Sequence, residues 1–356
     1  MLLVLPFVFN LLIDPYGYFQ IVEIPRINAN KSEVLSEYST KYYYVKRAKP
    51  EVIMLGTSRM LTHDPRDVGK YTGGRVYNLA LSGSSMYEQY EYFKYVADRY
   101  PLRCVVIGLD FFSFNPENTG KTGFDEDRLK GFYYKDYVNG LIGLEALKAS
   151  VLTLKSNVLG SCMAVNYDEG YQTWCSREKA VKDSGEGVIE RAMKSSLKTF
   201  SKDKEAYNSE KFRNPGSIER DMAFLSKIAQ LCRERGIRLK VFISPIYAAQ
   251  FDLIYAMGLG RTYEQWKTEV TKVVDYYDFT GRNSVTVDEH FWWDSSHIRK
   301  EGGKLIFARI FDDAKTAVPP DFGVHVSAKN VHDHLTQLRA QVEENSVSDI
   351  INLYGY

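Results

Sequence analysis

Short, wholly apolar runs alternate along this chain with longer stretches in which apolar residues recur at helical spacing. Glu51-Val-Ile-Met-Leu-Gly56, Arg75 to Ser82 before Gly83, Cys104 to Asp110 and Leu239 to Pro245 are runs of the first kind. Helical spacing marks Tyr87 to Tyr100, which Pro101 stops, and Ile218 to Arg235, with Gly236 at the C-cap. It returns over Tyr263 to Tyr277 and over Gly302 to Ala317, ahead of Pro319-Pro320. Strands that are apolar on both faces, separated by helices, predict a parallel sheet covered on both sides. The fold class expected is therefore α/β, open and doubly wound, with its site at the carboxyl ends of the strands. Ser58, Gly83 and Asp110 follow three of those ends.

Two regions break the rhythm. Residues 114–215 are polar and aromatic, and read as an insertion, a lid or substrate platform, with a flexible Lys/Ser/Glu-rich part near 176–211. Residues 319–356 form a tail with an amphipathic helical stretch from Ser327 to Asn345. The body is then 18–113 together with 216–318. Met1 to Ile13 is almost entirely apolar and stops at Asp14-Pro15-Tyr16-Gly17. As a helix it spans about 20 Å, short of the roughly 30 Å hydrocarbon core. It lacks the basic start and small-residue cleavage site of a signal peptide. A membrane anchor over residues 1–17, complete or truncated, and a buried core helix are the two readings. Pro6 and the abrupt stop favour the anchor, which puts the body outside the cytoplasm. No later segment approaches 18 apolar residues.

With 46 Lys+Arg against 45 Asp+Glu over 356 residues, there is no basic excess to track phosphates, so nucleic acid is excluded as the main partner. Hydrophobic residues at 44% and charged residues at 26% indicate a globular chain. The 26 Tyr and 19 Phe either fill cores or stack on sugars. The four cysteines contain no Cys-x-x-Cys, which excludes a zinc ribbon or a thioredoxin motif. Cys104 and Cys232 read as buried thiols. Cys162 and Cys175 are near enough in sequence for a disulfide in an oxidising compartment, or are free.

The chemistry concentrates in two places. Gly56-Thr57-Ser58-Arg59 sets a serine on a strand-to-helix turn, exposed and ringed by backbone N–H groups, as a nucleophile with an oxyanion site requires. Asp294-Ser295-Ser296-His297 supplies a base and, three residues before it, a carboxylate to hold its tautomer. Ser58, His297 and Asp294 are the expected nucleophile, base and orienting acid. Arg59 either binds an acidic substrate group or makes a structural ion pair. His63-Asp64-Pro65 reads as a turn, and His290 lacks a carboxylate three residues upstream. His325, His332 and His334 form no ligand pattern, so neither metal nor cofactor is expected. Gly120-Lys121-Thr122 imitates the end of a P-loop, but that motif's first glycine would fall at Asn115, and nucleotide binding is rejected.

On these residues the sequence resembles the SGNH (GDSL-like) hydrolase superfamily. It looks closest to the membrane-anchored, envelope-facing members that include the alginate acetylation and D-alanyl transfer proteins. Gly56-Thr57-Ser58-Arg59 resembles the first block, Asn78-Leu-Ala-Leu-Ser82-Gly83 the second, Gly108-Leu109-Asp110 the third and Trp293 to His297 the last. The resemblance covers residues 50 to 112 and 236 to 316. It implies a flavodoxin-like three-layer α/β/α fold with a parallel sheet of about five strands. It also implies an oxyanion site at the N–H groups of Ser58 and Gly83. Asp110 stands where the family has an oxyanion-donating Asn; either it points elsewhere, toward substrate, or Asn78 or Asn115 supplies the donor. The expected function is a serine esterase or O-acyltransferase, O-acetyl in kind, on an acylated envelope or exported polysaccharide, with envelope proteins as partners. Two rivals are a lipid or thioester hydrolase with the same triad, and a non-catalytic assembly protein of a polysaccharide or cell-wall system.

Overall fold

The first three apolar runs form β1 (Val52–Leu55), β2 (Val76–Asn78) and β3 (Cys104–Leu109), and their side chains are buried almost throughout. The computed structural model of the chain describes residues 4–31, 37–118, 123–162, 165–203, 207 and 209–343. Gly120-Lys121-Thr122 and Asn345 lie outside the described residues. A small antiparallel hairpin, β4 (Val165–Asn166) and β5 (Tyr171–Gln172), precedes β6 (Arg238–Ile243), β7 (Tyr276–Asp278) and β8 (Val324–Val326).

The main sheet has six strands in the order β2-β1-β3-β6-β7-β8. The first five are parallel, and β8 runs antiparallel on β7. The sheet is thus mixed rather than purely parallel: the segment after Pro320, expected to be helical only, first returns as an edge strand. Leu55 pairs with Ile107 and Leu109 with Ile243, so the carboxyl ends of β1, β3 and β6 lie side by side. The chain steps outward from β1 to β2 and then back across to β3, which puts the topological switch between β1 and β3.

Helices flank this sheet. Met86–Ala97 opens with a Ser85/Glu88 capping box and packs on Glu219–Glu234. Pro65–Thr72, capped by Asp64, packs on β2 and on Lys300–Ile310. Two helices are shorter than their periodicity suggests. Gly260–Val273 ends where Val274 turns extended, and Tyr276 and Tyr277 join β7. Lys300–Ile310 ends before Asp312, which sits at φ +55°, and Asp313 then caps a turn through Lys315 and Thr316.

The tyrosines go largely inside. The Glu37–Ala48 helix buries Tyr38, Tyr42, Tyr43 and Tyr44. Lys41 on the same helix is also buried, and its Nζ donates to the carbonyls of Asn78 and Gly170, pinning the β4–β5 turn to the end of β2.

Within the insertion, the described residues of the Lys/Ser/Glu-rich part include regular structure. This part forms two helices, Cys175–Ser184 and Gly187–Lys202, and the second buries Ile189, Met193, Leu197 and Phe200 on one face. Its polar composition hid a helical stripe. Cys162 and Cys175 are joined in a disulfide, while Cys104 and Cys232 are free and buried.

At the N-terminus, Val4–Ile13 is a helix about 15 Å long. It packs on two insertion helices, Tyr134–Ile142 and Leu144–Val158. The Asp14 carboxylate ends it by accepting from the N–H groups of Tyr18, Phe19 and Gln20. No helix among the described residues is long and apolar enough to cross a membrane. At the other end, the Val331–Glu343 helix docks on Gly260–Val273, and His334 Nε2 lies 2.8 Å from the buried Asp278 Oδ2.

Candidate active site

β1 ends at Leu55, and Gly56-Thr57 turns the chain into a short helix that begins at Ser58. Gly56 has φ +151°, and a Cβ there would stand 2.8 Å from the Gly108 carbonyl, so only glycine lets β1 and β3 approach this closely. Thr57 is the N-cap. Ser58 is the first helical residue, where a backbone N–H has no intrahelical partner.

His297 reaches this serine from the far end of the sequence. Its Nε2 lies 3.0 Å from Ser58 Oγ. Its Nδ1 lies 2.8 and 3.0 Å from the two Asp294 oxygens. A carboxylate on Nδ1 selects the Nδ1–H tautomer, so Nε2 accepts from the serine hydroxyl. Asp294 Oδ1 also accepts from the Ser296 and His297 N–H groups at 2.9 and 3.0 Å. The segment is closed by a bridge between Trp292 and Ile298 and by the Trp293 N–H donating to the His297 carbonyl at 2.9 Å. Burial pushes the Asp294 carboxyl up, but His297, these N–H bonds and Arg177 together outweigh it and hold it below its ordinary range. Asp294 is therefore a carboxylate at neutral pH.

The insertion supplies residues that sequence reasoning did not single out. Arg177 donates to the Trp293 carbonyl at 2.8 Å and lies 3.5 Å from Asp294 Oδ2. Ser196 accepts from the Ser295 N–H at 3.0 Å. The Trp174 ring packs 5.5 Å from the His297 ring and 5.8 Å from Trp293. The Cys162–Cys175 disulfide fastens the chain one residue after Trp174. Gln250, from the Ala248–Ala256 helix, sits among Arg59, Ser295 and Ser296. No periodicity or motif marks these positions along the chain; only the Cys162/Cys175 spacing points to this region.

The other expected site residues divide. Gly83 lies at φ +64°, exposed, on the turn that starts against Gly56 through the Leu81 N–H to Gly56 carbonyl bond of 3.0 Å. Asn78 is not an oxyanion donor: it is fully buried, and its amide donates to the carbonyls of Met60 and His63 at 2.8 and 2.9 Å. Asn115 is fully buried as well, with its Oδ1 on the Glu117 N–H at 3.0 Å. Asp110 is paired on both oxygens: Oδ1 accepts from Arg59 Nη1 at 2.7 Å, and Oδ2 from the Thr57 hydroxyl. Of the two roles open to Arg59, the ion pair is the one observed. Both charges are thus paired within the protein, while Arg59 Nε is buried without a hydrogen-bond partner.

A groove of about 420 Å³ opens beside the triad rather than over it. Tyr171, Trp174 and Trp293 form its aromatic wall, and Asp64, Glu178 and Arg299 are among its charged groups. The indole N–H groups of Trp174 and Trp293 are buried without a protein partner. His63 lines one end, but its ring packs against Phe307, and burial lowers its imidazole to about 4, against the pull of Asp67 and Asp110. It is a neutral packing residue. Among the described residues no group of three or more His, Cys, Asp or Glu is placed to hold a metal ion. In comparisons with known proteins, no family model matches this chain and no curated sequence matches it.

Proposed function

We propose that the protein is a serine esterase or O-acyltransferase of the SGNH type, on a flavodoxin-like three-layer scaffold. The observation that carries this is the relay Ser58 Oγ–His297 Nε2 at 3.0 Å and His297 Nδ1–Asp294 at 2.8 Å, set at the carboxyl end of β1. Ser58 Oγ attacks an ester carbonyl while His297 takes its proton. The N–H groups of Ser58 and Gly83 hold the oxyanion. His297 then returns the proton to the departing alcohol, leaving an acyl-Ser58. Water or a second hydroxyl, deprotonated by His297, attacks that ester and restores the serine.

Two further observations support an acylated polysaccharide substrate outside the cytoplasm. The groove beside the triad is lined by the aromatic side chains of Tyr171, Trp174 and Trp293, with charged groups among them, a lining that suits a sugar ring and its hydroxyls. The Cys162–Cys175 disulfide suits an oxidising compartment such as a cell envelope. The rival reading of a non-catalytic assembly protein rests on Asp110 in place of a donor; its pairing with Arg59 and Thr57 removes the bare charge that would oppose an oxyanion.

The test is covalent labelling by a serine-directed fluorophosphonate, with p-nitrophenyl acetate hydrolysis alongside, for the full chain and for Ser58→Ala and His297→Ala. Labelling and turnover in the wild type and in neither variant is the expected result. Labelling that survives in Ser58→Ala overturns the assignment.

A further inference from the structure

The cluster formed by the Val4–Ile13, Tyr134–Ile142 and Leu144–Val158 helices is built inside out. Its interior is dominated by small and polar side chains: Asn10, Ala146, Ala149, Ser150 and Asn157 are all buried, beside Ile13 and Tyr16. They bond across helices. Asn10 Nδ2 donates to the Leu141 carbonyl at 2.9 Å, Ser150 Oγ donates to Asn10 Oδ1 at 2.9 Å, and Asn157 exchanges bonds with the Asn30 backbone. Its exterior holds large apolar side chains. Leu5, Leu12, Ile142, Leu144, Leu152 and Leu159 are exposed, from 50% at Leu12 to 75% at Leu144. A helix cluster bathed in water does the reverse, with its large apolar stripe inward and polar residues outward. Small residues at the contacts, amide and hydroxyl bonds across helices, and leucines facing out are the pattern of helices packed in lipid.

Charge and length narrow the occupant. The exposed stripe of Leu144–Val158 carries Lys148, paired with Glu145 at 2.7 Å, and Lys155 two turns on. The long stem of Lys155 can lie along apolar surface while its ammonium group reaches a headgroup layer. That helix is about 22 Å long, shorter than a hydrocarbon core of roughly 30 Å.

We infer that these three helices form one membrane-seated module that lies in the surface of an anionic bilayer, and that the insertion's helices, not the N-terminal segment alone, hold the protein there. The inference is independent of the chemistry at Ser58, and its test is read equally in Ser58→Ala.

The experiment is flotation of the full chain with vesicles of phosphatidylcholine containing phosphatidylglycerol, and with vesicles of phosphatidylcholine alone. The wild type floats with the anionic vesicles. Leu152→Glu/Leu159→Glu reduces the bound fraction by roughly tenfold or more, with melting temperature and fluorophosphonate labelling as checks on folding. Lys155→Gln keeps binding but weakens the preference for anionic lipid. As a readout that does not depend on a disruptive change, Leu152→Cys carrying an environment-sensitive fluorophore shifts to the blue on adding vesicles. A wild type that stays unbound, or a Leu152→Glu/Leu159→Glu variant that is folded and floats normally, overturns the inference. So does a label at position 152 that reports no change. A wild type that ignores vesicles and instead cross-links to itself through these helices makes the face a protein interface.

Discussion

The guanidinium of Arg59 donates to the Asp110 carboxylate at 2.7 Å, one residue from the serine that His297 contacts. Both partners are largely buried, Asp110 just past the carboxyl end of the central strand β3 and Arg59 on the turn of helix that starts with Ser58. Breaking a buried pair by removing one partner leaves the other charge uncompensated, at about 3–5 kcal/mol. Arg59→Met is therefore expected to lower the urea-unfolding free energy by that order, and Asp110→Asn by less, because it leaves a cation that reaches Ser296 and Gln250. The double variant should recover much of the loss. Single losses that simply add in the double variant would show that the pair is not coupled.

Asp294 fixes the tautomer of His297 through two oxygens at 2.8 and 3.0 Å. Asp294→Asn keeps the shape but places an amide N–H where Nδ1–H needs an acceptor. By analogy with triad hydrolases, kcat for p-nitrophenyl acetate should fall about 10⁴-fold with little change in melting temperature. A loss under tenfold would mean that the carboxylate is only structural.

The disulfide between Cys162 and Cys175 holds the segment whose Trp174 covers one side of the His297 ring. For a closed loop of this length the chain-entropy contribution is about 3 kcal/mol. Cys162→Ser/Cys175→Ser should lower the melting temperature and raise KM more than it lowers kcat, since the bonds between Ser58, His297 and Asp294 do not run through this segment. Unchanged KM would remove the segment from substrate binding.

His63 gives stability a pH dependence. Its imidazole falls from an ordinary 6.5 to about 4 because it is buried, so between these values the unfolded chain binds a proton that the folded chain does not. The neutral-pH stability is thus lost progressively as pH drops from 6.5 through 4, by up to about 3 kcal/mol from this group. Urea midpoints at pH 7.5 and pH 4.5 should differ less in His63→Gln than in the wild type. An identical difference would assign the acid sensitivity to other groups.

Much of the site could be read from sequence because its two halves are local. Gly56 to Ser58 and Asp294 to His297 each act within one turn, and spacing along the chain sets their geometry. The strands followed for the same reason: β1, β3 and β6 are apolar on both faces. What escaped is what depends on distant partners. Arg177, Ser196 and Gln250 are ordinary polar residues until folding brings them to Asp294, Ser295 and Arg59. Asn78 looked like a donor because its sequence position suits one, but the carbonyls of Met60 and His63 had already taken its amide. β7 was lost inside a helical pattern because only three residues long, and β8 is exposed on two of its three residues.

The contact between Ser58 and His297 spans 239 positions of sequence. A chain made or exported from its N-terminus carries the serine for most of its passage before the histidine exists in the same space. Until β6 and β7 have joined the sheet and the Trp292–Ile298 segment has closed, the hydroxyl has no base to take its proton. Long-range closures of this kind come late and slowly in folding. Under the proposed esterase reading, reactivity is therefore a report on completed folding: an incomplete or misfolded copy carries an ordinary alcohol at Ser58.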